Sequence, residues 1–113
     1  MALTRDFIDT IKTRAESDPE FRRDMLARGI GYMLGGDNEE DINLGKLLIR
    51  DYINATLGFD ALAARTAKKK ESLMRMLSAS GNPSLTNLNL ILAPLLANEG
   101  MDHPFDMPVE AAE

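Results

Sequence analysis

The amino-acid sequence predicts an all-α protein, and three observations predict it. Apolar residues recur at three- and four-residue spacing, whereas strict alternation is nowhere sustained. Aromatic residues make up only 5% of the chain and β-branched residues are scattered. Helix start and stop residues punctuate the apolar stretches at regular intervals. With 113 residues and 44% hydrophobic content, the chain has the length of one domain with one modest core.

The elements follow in order. Helix one is predicted from about Arg5 to Ala15, with Thr4 as N-cap and Phe7, Ile8 and Ile11 sharing a face. Asp18-Pro19 is a start signal, a capping side chain followed by proline at the first helical position. Helix two then carries Phe21, Met25, Leu26, Ile30, Met33 and Leu34 on its buried side and ends at Gly35-Gly36. Helix three is predicted over about Glu40 to Thr56, with Ile42, Leu44, Leu47, Leu48, Tyr52 and Ile53 as a broad apolar stripe. Its early acids, Glu39, Glu40 and Asp41, suit the positive end of the helix dipole. Gly58 reads as its stop.

Two short helices follow, about Phe59–Thr66 and Lys70–Leu77. Ser80-Gly81-Asn82-Pro83 has the chemistry of a loop. Ser84 caps a last helix to about Ala97, bearing Leu85, Leu88, Ile91, Leu92, Leu95 and Leu96. Asn98-Glu99-Gly100 breaks it, and the rest is acidic, contains Pro104 and Pro108, and reads as extended or partly disordered. The expected organisation is an N-terminal helical extension over 1–36, a second helical domain over 37–98 that contains the two short helices, and an acidic tail over 99–113.

Net charge is −5, but it is unevenly distributed. Residues 1–57 carry −3 and residues 82–113 carry −5, whereas residues 58–81 carry +3 from Arg65, Lys68, Lys69, Lys70 and Arg75 against Asp60 and Glu71. An acidic chain thus has one basic island, and docking on phosphate responds to the local field. The alternative is an ordinary solvated helix face.

The island falls on a helix-turn-helix pattern, two short helices crossing steeply through a brief turn. Ala63 is small where the backbones approach, and Leu62 and Thr66 lie one turn apart. Leu73, Met76 and Leu77 give the second helix an apolar face. Its other face holds Lys70, Glu71, Met74, Arg75 and Ser78, side chains able to reach base edges. Lys68, Lys69 and Lys70 stand at the N-terminus of the second helix, where cations oppose the dipole; a phosphate backbone would favour them there. The turn residue Ala67 departs from the glycine expected in a left-handed conformation.

Phe59–Ser78 resembles the helix-turn-helix of Cro/C1-type (XRE) transcriptional regulators, whose fold is lambda-repressor-like. The likeness extends to Leu47–Phe59, Ser72–Leu77, Ser80–Pro83, the opening Met1–Phe7 and Asp18–Phe21, which look like the antidote branch of that family, the HigA-type antitoxins. It spans about residues 1–98 and implies two extra N-terminal helices before the DNA-binding domain. It further implies a homodimer on a palindromic double-stranded DNA operator, with the second helix in the major groove. Lys70, Glu71, Met74 and Arg75 would then face bases, Arg75 pairing with guanine and Glu71 accepting from cytosine. Lys68, Lys69, Ser78, Asn82 and Ser84 would contact the backbone. A RelE/ParE-like toxin is the implied protein partner.

Other chemistry finds little footing. Without cysteine there are no disulfides or thiolate metal sites. His103 is the single histidine, too little for a metal site or a catalytic triad. Asp37, Glu39 and Asp41 alternate like a calcium loop but lack its closing glutamate, and the glycines from Gly29 to Gly36 lack phosphate-loop order. The sequence shows neither a secretory leader nor a membrane-length apolar run, so the expectation is a cytoplasmic, non-enzymatic protein without cofactor. A stand-alone regulator without a toxin, or a helical interaction module that has lost DNA binding, are the alternatives.

Overall fold

The computed structural model describes residues 2–101, with side chains from Phe7 onward except Ile8. Six helices and no strand occur among the described residues: α1 (Ala2–Ser17), α2 (Pro19–Gly35), α3 (Glu39–Ala55), α4 (Gly58–Thr66), α5 (Lys70–Met76) and α6 (Leu85–Asn98).

Local capping chemistry sets most of these boundaries. Asp18 accepts a hydrogen bond from the Phe21 backbone N–H at 3.1 Å, with Pro19 opening α2. Asn38 accepts from Asp41 N–H at 2.9 Å, and Ser84 from Asn87 N–H at 3.1 Å. At the far end of α6, Gly100 takes a positive φ and Met101 N–H donates back to Leu96 C=O at 2.9 Å, closing a Schellman motif. Helix α1 already begins at Ala2, so Thr4 lies within it and not at the position before it. Gly58 opens α4 with φ +83 instead of simply ending α3, so one left-handed residue serves the junction between two helices.

One apolar core runs through all of this. Met25, Leu26, Ile30 and Met33 from α2 meet Ile49, Tyr52 and Ile53 from α3, Phe59 and Leu62 from α4, and Leu73 and Leu77. Leu88, Ile91, Leu92 and Leu95 of α6 complete it, so the core crosses the turn at residues 36–38. At the crossing of α2 and α3 the backbones nearly touch. A Cβ on Gly45 would lie inside 3.0 Å of Met33 N and Gly29 O. That closeness aims α3 through Gly45, Ile49 and Tyr52 and turns other apolar residues outward.

The expected buried faces are corrected accordingly. Leu34 of α2 and Leu44 and Leu47 of α3 are exposed, as is Phe7 of α1. Leu85 of α6 is 79% exposed, because it begins the helix beyond the reach of the core. In exchange, charged groups lie inside: Lys46 and Glu99 are buried. Glu99 therefore belongs to the folded body and not to a solvated tail, although the tail reading from residue 102 onward lies outside the described residues.

Candidate nucleic-acid interface

The basic island occupies α4, the turn and α5. The turn is three residues, Ala67 to Lys69. Ala67 adopts φ 56 and ψ 29, the left-handed conformation that the sequence pattern demands, despite being alanine. Phe59, Leu62, Leu73 and Leu77 are buried, and Ala63 and Met76 are half-buried against the same core. Thr66 turns its hydroxyl back to donate to Leu62 C=O at 2.9 Å, which satisfies it inside α4. Of the six motif positions, Leu62, Leu73 and Leu77 are buried and Ala63, Thr66 and Met76 half-buried, and together with Phe59 they anchor the pair of helices.

With that side anchored, the opposite side of α5 faces solvent. Lys70, Glu71, Met74 and Arg75 are all exposed, Met74 at 47%. Lys69 is exposed and Lys68 half-buried just before the helix, and no side chain caps its N-terminus. Lys70 Nζ reaches Asp60 Oδ1 at 3.3 Å, tying α5 to α4 across the turn. Asp60 is so exposed that this pair is a weak tie. Among the described residues, Arg65, Lys68, Lys69 and Arg75 have no carboxylate within ion-pair distance. By contrast Arg14 of α1 and Arg22, Arg23 and Arg28 of α2 each face an acidic group, while Lys12 and Arg50 have none within ion-pair distance among the described residues.

Beyond α5 the chain loops through residues 77–84. Ser78 donates its hydroxyl to Arg75 C=O at 2.7 Å, so that proton is already engaged. Asn82 is exposed. Ser84 is exposed too, and its oxygen accepts the capping bond, which leaves its own hydroxyl proton free. The loop is held from below by Lys46, whose Nζ donates to Ser78 C=O at 3.2 Å and to Gly81 C=O. Sequence reasoning passed over Lys46; the signal was a lysine on the same arc of α3 as Ile49 and Ile53.

A second polar cluster lies under the N-terminal helices. Glu99 accepts from Arg22 Nε at 2.9 Å and from the buried Tyr52 hydroxyl, which in turn accepts from Asn98 Nδ2 at 3.0 Å. Arg22 also donates to Ala15 C=O at 2.8 Å, linking α1 to the group. Burial, and then the hydrogen bond to Glu99, holds the Tyr52 phenol well above its ordinary pKa. Asp51 lines a small cleft with Phe7, Ile11, Lys12 and Asn54, and burial raises its pKa, partly offset by Arg50. Neither cluster assembles a reactive group with an open cavity, and no group of acidic and histidine side chains suited to a metal ion occurs among the described residues. No helix there is long and apolar enough to cross a membrane.

Comparison of the chain with protein-family models, curated proteins and solved structures gives no match.

Proposed function

We propose that the chain is a sequence-specific DNA-binding regulator of the lambda-repressor-like helix-turn-helix type. It docks α5 in the major groove and acts as a homodimer on a palindromic operator. The observation that carries the reading is the exposed cationic side of α5 and its turn, where Lys69 and Arg75 have no acidic partner among the described residues. Arg14, Arg22, Arg23 and Arg28 face carboxylates, whereas the island gathers several cations that phosphate would meet without displacing one. Lys70, Glu71, Met74 and Arg75 are assigned to base edges, and Lys68, Lys69, Ser78, Asn82 and Ser84 to the backbone. For Ser78 the assignment requires the hydroxyl proton to turn from Arg75 C=O to the phosphate, since a phosphate oxygen only accepts hydrogen bonds.

The resemblance over residues 1–98 supports a narrower proposal. In it the protein is the antitoxin of a type II toxin–antitoxin module, represses its own operon and neutralises a RelE/ParE-like toxin in the cytoplasm, without catalysis or cofactor. The exposed Leu34, Leu44 and Leu47 favour a protein partner. A plain helical interaction module would use the same leucines, and DNA binding separates the two.

The test is affinity for the promoter fragment of its own gene across a series of salt concentrations. Lys69→Ala should weaken binding to all duplexes and lower the salt slope by about 0.9. Arg75→Ala should cost about 1–3 kcal/mol at one base position and relax specificity there. Absent or salt-insensitive binding by the intact chain overturns the proposal.

A further inference from the structure

We infer that Lys46, on α3 and outside the basic island, is a positioning residue that sets the loop between α5 and α6 at the height where Asn82 and Ser84 meet a DNA phosphate. The inference rests on the DNA-binding reading above.

Lys46 is only 7% exposed, an unusual place for a lysine. No carboxylate lies within ion-pair distance of it among the described residues. Its ammonium is instead held by two backbone carbonyls, Ser78 at 3.2 Å and Gly81. A charge buried on carbonyls alone is poorly compensated for desolvation, and a methionine of similar length would serve packing as well or better. What the lysine supplies is direction: it pulls two carbonyls, three residues apart, toward one point.

The loop is pinned from its other side as well. A Cβ on Gly81 would fall inside 3.0 Å of the Arg75 and Met76 carbonyl oxygens and the Met76 carbonyl carbon. The chain at Gly81 therefore lies flush against the C-terminal end of α5, and Ser78 C=O accepts Gly81 N–H at 3.0 Å. With the carbonyls of residues 78 and 81 drawn inward to Lys46, the exposed groups of the following stretch are the Asn82 side chain and the Ser84 hydroxyl. Lys46 thus ties the loop to α3 while Gly81 ties it to α5, and the spacing between α5 and the start of α6 is fixed by both.

The experiment compares wild type, Lys46→Met, Asn82→Ala and the double variant. Non-specific binding to a mixed-sequence duplex at low salt reads phosphate contacts. Amide hydrogen exchange of residues 78–84 reads the loop without any DNA. Lys46→Met should expose those amides to exchange while α3 and α6 stay protected, and should weaken binding by about tenfold, the loss of a contact of ordinary strength. Asn82→Ala should weaken wild type but have little further effect on Lys46→Met, since both act through one contact. The salt slope should not move, because Asn82 and Ser84 carry no charge. Lys46→Gln, which keeps a donor of shorter reach, should be intermediate and serves if Lys46→Met does not fold.

A slope lowered by about 0.9 would make Lys46 a direct phosphate ligand and overturn the inference. So would additive effects of the two substitutions, or unchanged exchange of the loop. If wild type binds no duplex, the DNA-binding reading fails and takes the phosphate role with it, whereas a loop that stays protected in Lys46→Met defeats the inference alone.

Discussion

Ala67 is the one non-glycine residue with positive φ among the described residues, and replacing it with glycine should stabilise the protein. Its φ of 56 and ψ of 29 lie in the left-handed region, where the Cβ of an L-residue crowds the following carbonyl at a cost of about 1–2 kcal/mol. The residue is exposed, so removing its methyl forfeits no packing. Glycine relieves the crowding but returns about 0.4–1 kcal/mol of conformational entropy to the unfolded chain. The net gain for Ala67→Gly is about 1 kcal/mol. Unfolding entropy of about 2.1 cal/mol/K per residue over 113 residues converts that gain to a rise in Tm of about 4 °C. Thermal melts followed by far-UV circular dichroism, with matched urea titrations, measure it. Ala67→Asn should fall between, since asparagine tolerates this region, and Ala67→Val should lower Tm because a β-branched side chain does not. A Tm lowered by glycine, or unmoved across the series, would show that the turn is not left-handed and that α4 and α5 do not cross as described.

Further outcomes follow from the packing and from the partly or fully buried polar groups. Gly45→Ala should destabilise by about 3 kcal/mol in urea denaturation, because its Cβ meets backbone of α2; Gly29→Ala meets the side chain of Ile49 and not backbone, and should cost about 1 kcal/mol. Asp51→Asn should raise Tm at neutral pH, because burial lifts the pKa of Asp51 in the folded state and its ionised form opposes folding; the advantage should vanish as pH falls through that raised pKa. Tyr52→Phe should cost about 1.5–3 kcal/mol at neutral pH through its lost bond to Glu99. In wild type the raised phenol pKa means that the unfolded chain releases its proton first, so stability should decline by about 1.4 kcal/mol per pH unit above about pH 10, and by less in Tyr52→Phe.

What was legible in the sequence was chiefly what is local. Asp18, Asn38 and Ser84 cap helices with bonds to residues three positions on, so a short window contains the whole interaction. The left-handed turn at residue 67 and the outward set Lys70, Glu71, Met74 and Arg75 were legible for the same reason: Leu73 and Leu77 fix the inner side of α5 by spacing alone. α3 was less legible because leucine and isoleucine occur almost all round it. Hydrophobicity then does not define one arc, and the buried arc is chosen by the close approach at Gly45, which leaves Leu44 and Leu47 outside and brings Lys46 in. The Glu99 cluster joins residues 46 and 77 positions apart, and nothing near Glu99 distinguishes it from the other acids that follow it.

The net charge of −5 argues against a nucleic-acid partner, and the proposed reading meets that objection through where the charges are paired. Arg14, Arg22, Arg23 and Arg28 face Asp18, Glu99 and Asp24, so most of their charge is offset locally. The cations of α4, the turn and α5 are left to project a field, opposed nearby by Asp60 and Glu71. The molecule measures 46 × 32 × 30 Å. At an ionic strength of about 0.15 M the screening length is about 8 Å, far shorter than any of these, so phosphate at α5 responds to the island and not to distant carboxylates. At about 0.01 M the length reaches about 30 Å and the acidic remainder becomes visible to the same phosphate. Affinity for a duplex should therefore rise as salt is lowered from the physiological range and then flatten toward the lowest ionic strengths, where a uniformly basic binder continues along its straight log–log line. A straight line down to about 0.01 M would mean that the acidic residues are too remote or too well paired to act, and a loss of affinity at all salts would mean that the island does not face the DNA.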